Sequence, residues 1–181
     1  MNLLKEKYPY SVWTGYAQER LKEMNTPPAQ IEYVPKLGLG NEEKPGLGND
    51  GLTDENVNEY MGKAIHLFNQ DRIEEAKPIF KEIGERFPDF QGAPQALACL
   101  ALIHYKQKDY KNTIFYYQQL IERYREDKLV PEAYFHIGLS HELLGNRKEA
   151  ETAYLTGAEK FPKAQFGELA AEKLKTLKIE K

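Results

Sequence analysis

The sequence predicts an all-α protein of three helix-turn-helix repeats followed by a C-terminal capping helix. Similar residue types return at an interval of 37 residues, as at Ala64, Ala101 and Gly138, from about residue 55 to residue 177. Such a period indicates a repeat array in which each unit is one supersecondary element. Apolar residues within each unit recur at steps of three and four, which is the spacing of one helix face. The pattern therefore predicts two helices per unit.

Five sets of positions keep their size class in all three units. Two sets are small and three are large, so helices can approach at the small residues while large side chains fill the flanking gaps. The small sets are Ala64, Ala101 and Gly138, then Ala76, Thr113 and Ala150; the large sets are Tyr60, Leu97 and Tyr134, then Phe80, Tyr117 and Tyr154, then Phe87, Tyr124 and Phe161. Each pair alone leaves an apolar face uncovered, so we expect the pairs to stack and a last helix to cap them.

Turn and cap residues separate the two helices of each unit. Gly145 can supply the left-handed residue that ends a first helix, and Asn146, with an acidic residue three positions on, is typical of a capping box. Asp71 has the same acidic partner in the first unit, and Asp109 is predicted to cap the second unit without one. Pro78 predicts a kink or a later start in the second helix of the first unit.

The third unit resembles the tetratricopeptide-repeat (TPR) consensus. The residues that carry the resemblance are Tyr134, Ile137, Gly138, His141, Ala150, Tyr154 and Pro162. The pattern departs from the family at His141, where tyrosine is usual, and is weakest in the first unit, where Lys63 occupies an apolar column. The resemblance implies a TPR α-solenoid.

The resemblance also implies domain boundaries. It predicts a TPR domain over residues 54–178, with repeats at about 57–90, 94–127 and 131–163 and a capping helix at 164–177.

The N-terminal third is predicted to hold an isolated helix and a linker. Residues 1–24 resemble the end of a preceding repeat, because Trp13 aligns with Phe166 and Leu21 with Leu174. We favour a fragment of a longer protein over a detached cap as the explanation, since arrays need whole units for stability. Residues 25–53 are rich in Pro, Gly and Asn, which predicts a flexible linker.

Composition and charge argue against several classes of function. The 25 basic and 28 acidic residues give a net charge of -3 and no basic stripe, so nucleic acid is not an expected partner. No apolar run has the length of a membrane span or the form of a signal peptide, so we expect no direct membrane insertion. The single cysteine, Cys99, cannot form an internal disulfide and is predicted to be a small buried residue.

No residue pattern predicts catalysis, a metal site or a cofactor. His104 and His141 share a repeat column that normally holds a core aromatic, so packed, hydrogen-bonded imidazoles are expected. His136 and His141 are five residues apart and lack the four-residue spacing of a helical zinc site. The glycines of the linker lack the strand and the Gly-Lys-Ser/Thr of a nucleotide loop. We therefore predict no enzyme, no metal and no cofactor.

The TPR resemblance implies that the first helices of the units line a concave groove, which the columns predict to be apolar. The predicted partner-binding residues are Met61, Ile65, Phe68, Ala98, Leu102, Tyr105, Phe135, His136 and Leu139. About half of them are expected to pack between helices, and the remainder would still form a site for an amphipathic helix or an extended peptide. Family members that grip acidic C-terminal tails use cationic and amide side chains in columns that here hold Cys99 and Glu132, which cannot clamp a carboxylate.

The predicted function is a non-catalytic protein-protein interaction scaffold. An alternative is self-association, in which the N-terminal helix docks into the groove of the same or another copy, as a homo-oligomer in the second case. The apolar face of that helix would be Val12, Trp13, Tyr16 and Leu21. An enzyme would require a polar cluster in the groove.

A sub-family resemblance to TPR proteins of the Gram-negative envelope bears on location. The resemblance is to proteins of the outer-membrane assembly lipoprotein or Tol-Pal-associated type. It implies a periplasmic protein if the full gene carries an export signal, and a cytoplasmic one otherwise.

Overall fold

The computed structural model of the protein describes residues 51–179. These residues form seven α-helices joined by short turns, and no strand occurs among them. In chain order they are α1 Val57–Asn69, α2 Ile73–Arg86, α3 Ala93–Lys106, α4 Tyr110–Arg123, α5 Val130–Leu143, α6 Arg147–Lys160 and α7 Gln165–Ile179. The predicted all-α fold is confirmed. The predicted helix within residues 1–24 lies outside the described residues, as does nearly all of the predicted linker.

The helices form three antiparallel pairs, α1 with α2, α3 with α4 and α5 with α6, and α7 closes the array. Each second helix also packs against the first helix of the next pair, and α7 packs against both α5 and α6. This arrangement is the predicted set of three helix-turn-helix repeats with a capping helix. One cluster of its buried residues lies between α6 and α7 and consists of Ala150, Tyr154, Ala170, Leu174 and Leu177.

The small residues of the first helices and the large residues of the second helices are buried in the repeat columns. Ala64 and Ala101 are fully buried, and so are Phe80, Tyr117 and Tyr154. Gly138 fits so closely beneath Tyr154 that an added Cβ would come within 2.6 Å of the Tyr154 Cδ1. The third pair thus has a close helix approach at the position where it has glycine and the other two pairs have alanine.

The turn within each pair repeats one backbone conformation. Asp71, Lys108 and Gly145 occupy equivalent positions and all have a left-handed φ, of 60°, 59° and 77°. The prediction for Gly145 is confirmed. The other two positions show that the turn demands this conformation even where the residue has a Cβ, which makes it less favourable there.

Only one of the three predicted helix caps forms. The Asp109 side chain accepts a hydrogen bond from the Asn112 backbone N–H at 3.3 Å. The capping-box prediction is wrong at Asp71, because that residue occupies the left-handed turn and Arg72 is the N-cap. It is also wrong at Asn146, which is the N-cap but makes no capping bond. Its amide nitrogen instead lies 3.5 Å from His141 Nδ1.

Pro78 lies inside α2, which begins at Ile73 and continues through it to Arg86. The alternative of a later helix start is therefore wrong. Pro78 is exposed, so the carbonyl that loses its N–H donor lies where water can satisfy it.

The capping helix α7 buries one apolar stripe and is also held by an ion pair and a hydrogen bond to α5 and α6. Ala170, Leu174 and Leu177 are buried. Lys173 Nζ lies 3.1 Å from Glu142 Oε1 of α5, and the Arg147 guanidinium donates to the Leu177 carbonyl. Among the described residues, no helix is long and apolar enough to cross a bilayer.

Candidate partner-binding groove

The groove face consists of residues at i, i+3, i+4 and i+7 of the three first helices, which share one side of each helix. Its members are Asn58, Met61, Gly62 and Ile65 of α1, Gln95, Ala98, Cys99 and Leu102 of α3, and Glu132, Phe135, His136 and Leu139 of α5, with Phe68 and Tyr105 beyond them. The Tyr105 and His136 rings lie 5.8 Å apart, so the faces of α3 and α5 adjoin.

Five of the nine predicted groove residues are half-buried and four are buried. Ile65, Phe68, Tyr105, Phe135 and Leu139 keep part of their surface exposed. Met61, Ala98, Leu102 and His136 are only 5%, 4%, 2% and 2% exposed, so these four pack between helices, as expected for about half of the set. Two of the four belong to the middle pair, which has neighbours on both sides. The binding role of the groove stays a prediction.

His136 lies within a cluster of aromatic rings. Its ring stacks on Tyr117 at 5.6 Å and meets the edges or faces of Phe135 at 5.2 Å and Phe166 at 6.0 Å. Burial lowers the pKa of the imidazole to about 3, because the charged form would lose its hydration. His136 is therefore a neutral part of the apolar groove wall at ordinary pH.

Glu132 lies one helical turn before His136 on the same face and is 4% exposed. Burial raises the pKa of its carboxyl well above the ordinary value, and the negative charge of Asp127 raises it further. The carboxyl in turn contributes to the raised pKa of the buried Cys99 thiol, which places the two groups near each other between α3 and α5. Glu132 has a place in the repeat columns, but its residue type does not predict that it is buried.

His104 and Asp109 form the other notable polar pair. The His104 Nδ1 lies 3.0 Å from the Asp109 Oδ2, and the ring stacks on Tyr116 at 5.3 Å. The packed, hydrogen-bonded imidazole predicted for His104 is confirmed. Burial lowers its pKa, and Lys77 adds to that effect against the opposing effect of Asp109. The equivalent His141 is half-buried.

A second concavity of about 510 Å³ lies between α4, α5 and α6, away from the groove face. Ile121, Tyr134 and Thr152 are among its lining residues. The hydroxyl of Thr152 donates to its own helix, at the Lys148 carbonyl. Most of the lining residues are nevertheless polar, with Gln118, Glu122, His141, Lys148 and Glu149 among them. No cluster of three potential metal ligands occurs within the described residues.

Two segments of the chain match family models described as Tetratricopeptide repeat. They are residues 100–127 and 131–159. The comparison with curated proteins finds no match.

A solved structure with a similar fold is a chain of the "CopN-Scc3 complex". The TM-score is 0.54 at 15% identity, over 94% of this chain and 100% of that one. At this identity the likeness concerns the fold alone. Together, the two family matches and this fold support the TPR family, and they show that the chain carries tetratricopeptide repeats in a helical array.

Proposed function

We propose that the chain is a non-catalytic scaffold that binds a peptide or an amphipathic helix on its groove face. The observation that carries the proposal is a row of half-buried apolar side chains on adjoining first helices, with Ile65 on α1, Tyr105 on α3 and Leu139 on α5. Apolar side chains that share one face and stay partly exposed favour a partner that covers them.

The two family matches and the structural neighbour favour a protein partner, without indicating where it binds. Tetratricopeptide repeats are interaction modules, and the structural neighbour is by its title part of a complex. The apolar and aromatic character of the face favours a partner with apolar side chains of its own.

The test of this proposal is peptide selection on the full chain. A phage library of random 16-residue peptides is selected on the wild type, and binders are measured on Ile65→Glu and Leu139→Glu. We expect each variant to weaken binding at least about tenfold, because a charge would be buried against the peptide. Phe115→Glu and Leu155→Glu are matched controls, since those side chains lie on second helices and are 50% and 44% exposed.

The result against the proposal is a set of binders that the two groove variants leave unaffected, or that the control variants weaken equally. Circular dichroism of all four variants shows whether each is folded. Leu102 is unsuitable for this test because it is buried, and a charge there would disturb the core.

A second candidate is self-association through the N-terminal segment. Three residues of α7 align with residues of that segment, and all three pack in the structure. The Phe166 and Phe135 rings lie 5.6 Å apart, Ala170 is fully buried and Leu174 is 9% exposed. Trp13, Ala17 and Leu21 occupy the corresponding sequence positions. The segment thus has the side chains that a groove-binding helix requires.

Two measurements on the full chain test self-association. If the N-terminal segment docks into the groove of a second copy, the wild-type protein should have the mass of a dimer. The double variant Trp13→Ser/Leu21→Ser should then have the mass of a monomer. Docking within one copy predicts a monomer whose selected peptides bind more tightly once the same substitutions are made. Unchanged mass and unchanged peptide affinity would exclude both forms.

A further inference from the structure

The groove face contains a buried carboxyl group, that of Glu132, to which the apolar binding surface gives no role. Among the described residues, the buried polar or charged side chains are His104, Thr113, Glu132, His136 and Ser140, and Glu132 is the carboxylic acid of that set. The other described acids are half-buried or exposed. A carboxyl group loses much of its hydration at such a position, so it needs a proton or a cation to offset the loss.

No cation within the described residues meets this need. Burial and the negative charge of Asp127 dominate the surroundings of the Glu132 carboxyl, and neither favours ionisation. Cys99 of α3 is a buried thiol whose pKa the Glu132 carboxyl raises further, so it offers no positive charge. His136, one turn further along α5, is held neutral by its own burial. The site therefore has an acid without a complementary base.

The position of Glu132 connects it to the proposed binding surface. It shares the groove face of α5 with Phe135 and Leu139, which are both half-buried and lie one and two turns further along. A segment that covers those two side chains passes the side of the helix to which the carboxyl belongs, and only a long side chain could reach in to it, because Glu132 is 4% exposed.

Lysine and arginine suit this position for a physical reason. Their aliphatic stems pack on apolar and aromatic surfaces while the charged group reaches a distant partner. An aromatic ring such as that of Phe135 also attracts a cation that lies over its face. A lysine or arginine of a binding partner would thus form an ion pair with the Glu132 carboxylate away from water. Charge complementarity of this kind determines which partners bind.

We propose that the groove face selects a peptide segment that carries a lysine or arginine among apolar side chains, and that this cation pairs with Glu132. The inference rests on the proposed function, because it names the chemistry of the partner for the same groove. It makes Glu132 the specificity-determining residue of an otherwise apolar site.

The experiment compares peptide selections on three full-length proteins. The same 16-residue phage library is selected on the wild type, on Glu132→Gln and on Glu149→Gln, an exposed acid of α6 that serves as the matched control. We expect a lysine or arginine at one fixed place among apolar residues in peptides from the wild type and from the control. The Glu132→Gln selection should lose that preference and keep the apolar pattern.

Synthetic peptides sharpen the result. The best wild-type peptide and its version with norleucine in place of the cation are titrated against each protein. The cation should strengthen binding to wild type at least about tenfold and make little difference in Glu132→Gln. Circular dichroism confirms that the variant is folded, and Glu132→Leu, which removes the acid altogether, gives a second reading of the same preference.

Each outcome has one meaning. Apolar binders with no cation preference, still weakened by Ile65→Glu, overturn the role of Glu132 and leave the proposed function standing. Binders that no groove variant weakens overturn both. A cation preference that persists in both Glu132 variants also overturns the role of Glu132, because the cation then pairs elsewhere.

Discussion

The first helices of the opening and middle pairs share their repeat columns but differ sharply in burial. In α3 every residue from Ala96 to His104 is buried, whereas α1 buries only Val57, Met61, Ala64 and Leu67. Among the described residues, α3 packs against its own partner and against the second helix of the preceding pair, whereas α1 packs mainly against α2. Position in the array therefore decides burial more than the residue column does.

One column shows this difference at the level of a single residue. Leu100 of α3 is fully buried and Ile137 of α5 is 6% exposed, while the equivalent Lys63 of α1 is half-buried. The Lys63 ammonium lies 5.6 Å from the centre of the Tyr60 ring. Helix α1 thus has a half-buried lysine where α3 and α5 have a buried aliphatic residue.

The largest effect that tests this comparison is the loss of Leu100. Leu100→Ala should lower the free energy of unfolding by about 2–5 kcal/mol, because it leaves a cavity between packed helices. Lys63→Ala, in the same column, should change it by less than about 0.5 kcal/mol. Urea unfolding followed by circular dichroism measures both. Similar losses at the two sites would show that the column, not the place in the array, governs burial.

Acid should destabilise the protein through His136. Its folded pKa of about 3 lies below the ordinary 6.5, so between these values the unfolded chain binds a proton that the folded chain does not. The stability that the neutral imidazole gives to the folded state is fully present above pH 6.5 and is lost as the pH falls. At 1.36 kcal/mol per pH unit, the loss reaches roughly 3 kcal/mol at pH 4. His136→Phe should remove that part of the slope in unfolding measured from pH 7 to pH 4.

Glu132, one turn away, should act in the opposite direction. Its folded pKa lies well above the ordinary 4.5, so the folded chain keeps a proton that the unfolded chain releases, and stability is lost as the pH rises. Glu132→Gln should therefore gain stability relative to wild type as the pH rises from 4.5. Parallel pH profiles for wild type and Glu132→Gln would contradict the burial of this carboxyl.

A smaller effect compares two helical glycines. Gly138→Ala should cost about 1–3 kcal/mol, since the new methyl group would force the buried Tyr154 ring to move. Gly62→Ala should stabilise by about 0.5–1 kcal/mol, because an added Cβ there meets nothing within 4 Å. Thermal unfolding of the two variants should shift the midpoint in opposite directions. Equal shifts would mean that the Tyr154 ring does not restrict the space beside Gly138.

The smallest effect compares two helix caps in one column. Asp109→Ala should cost about 0.5–2 kcal/mol, because it removes the bond from the Asn112 N–H and the pairing with His104. Asn146→Ala should cost less than half as much, since Asn146 makes no capping bond. Denaturant unfolding resolves the difference, and equal losses would show that Asn146 caps α6 in solution.

The sequence predicted the repeat architecture because small and large residues return in fixed columns, and these columns are what helix pairs need in order to pack. It predicted the left-handed turn at Gly145 for the same local reason. It failed at the capping boxes, because Asp71 has the right side chain one residue too early for the cap.

The groove was harder to predict than the fold. Met61 and Ile65 both have the spacing of a groove residue, yet only Ile65 is partly exposed. Burial at such positions depends on contacts between pairs, which a column alone does not contain. The same limit hid Glu132, whose column gave no measure of how little solvent reaches it.

The groove face is most directly tested by amide and methyl NMR shifts of the full chain during titration with a peptide selected on it. If a partner binds there, the shifts should concentrate at Ile65, Tyr105 and Leu139, on the three first helices. Shifts confined to the second helices, around Phe115 and Leu155, would contradict this expectation.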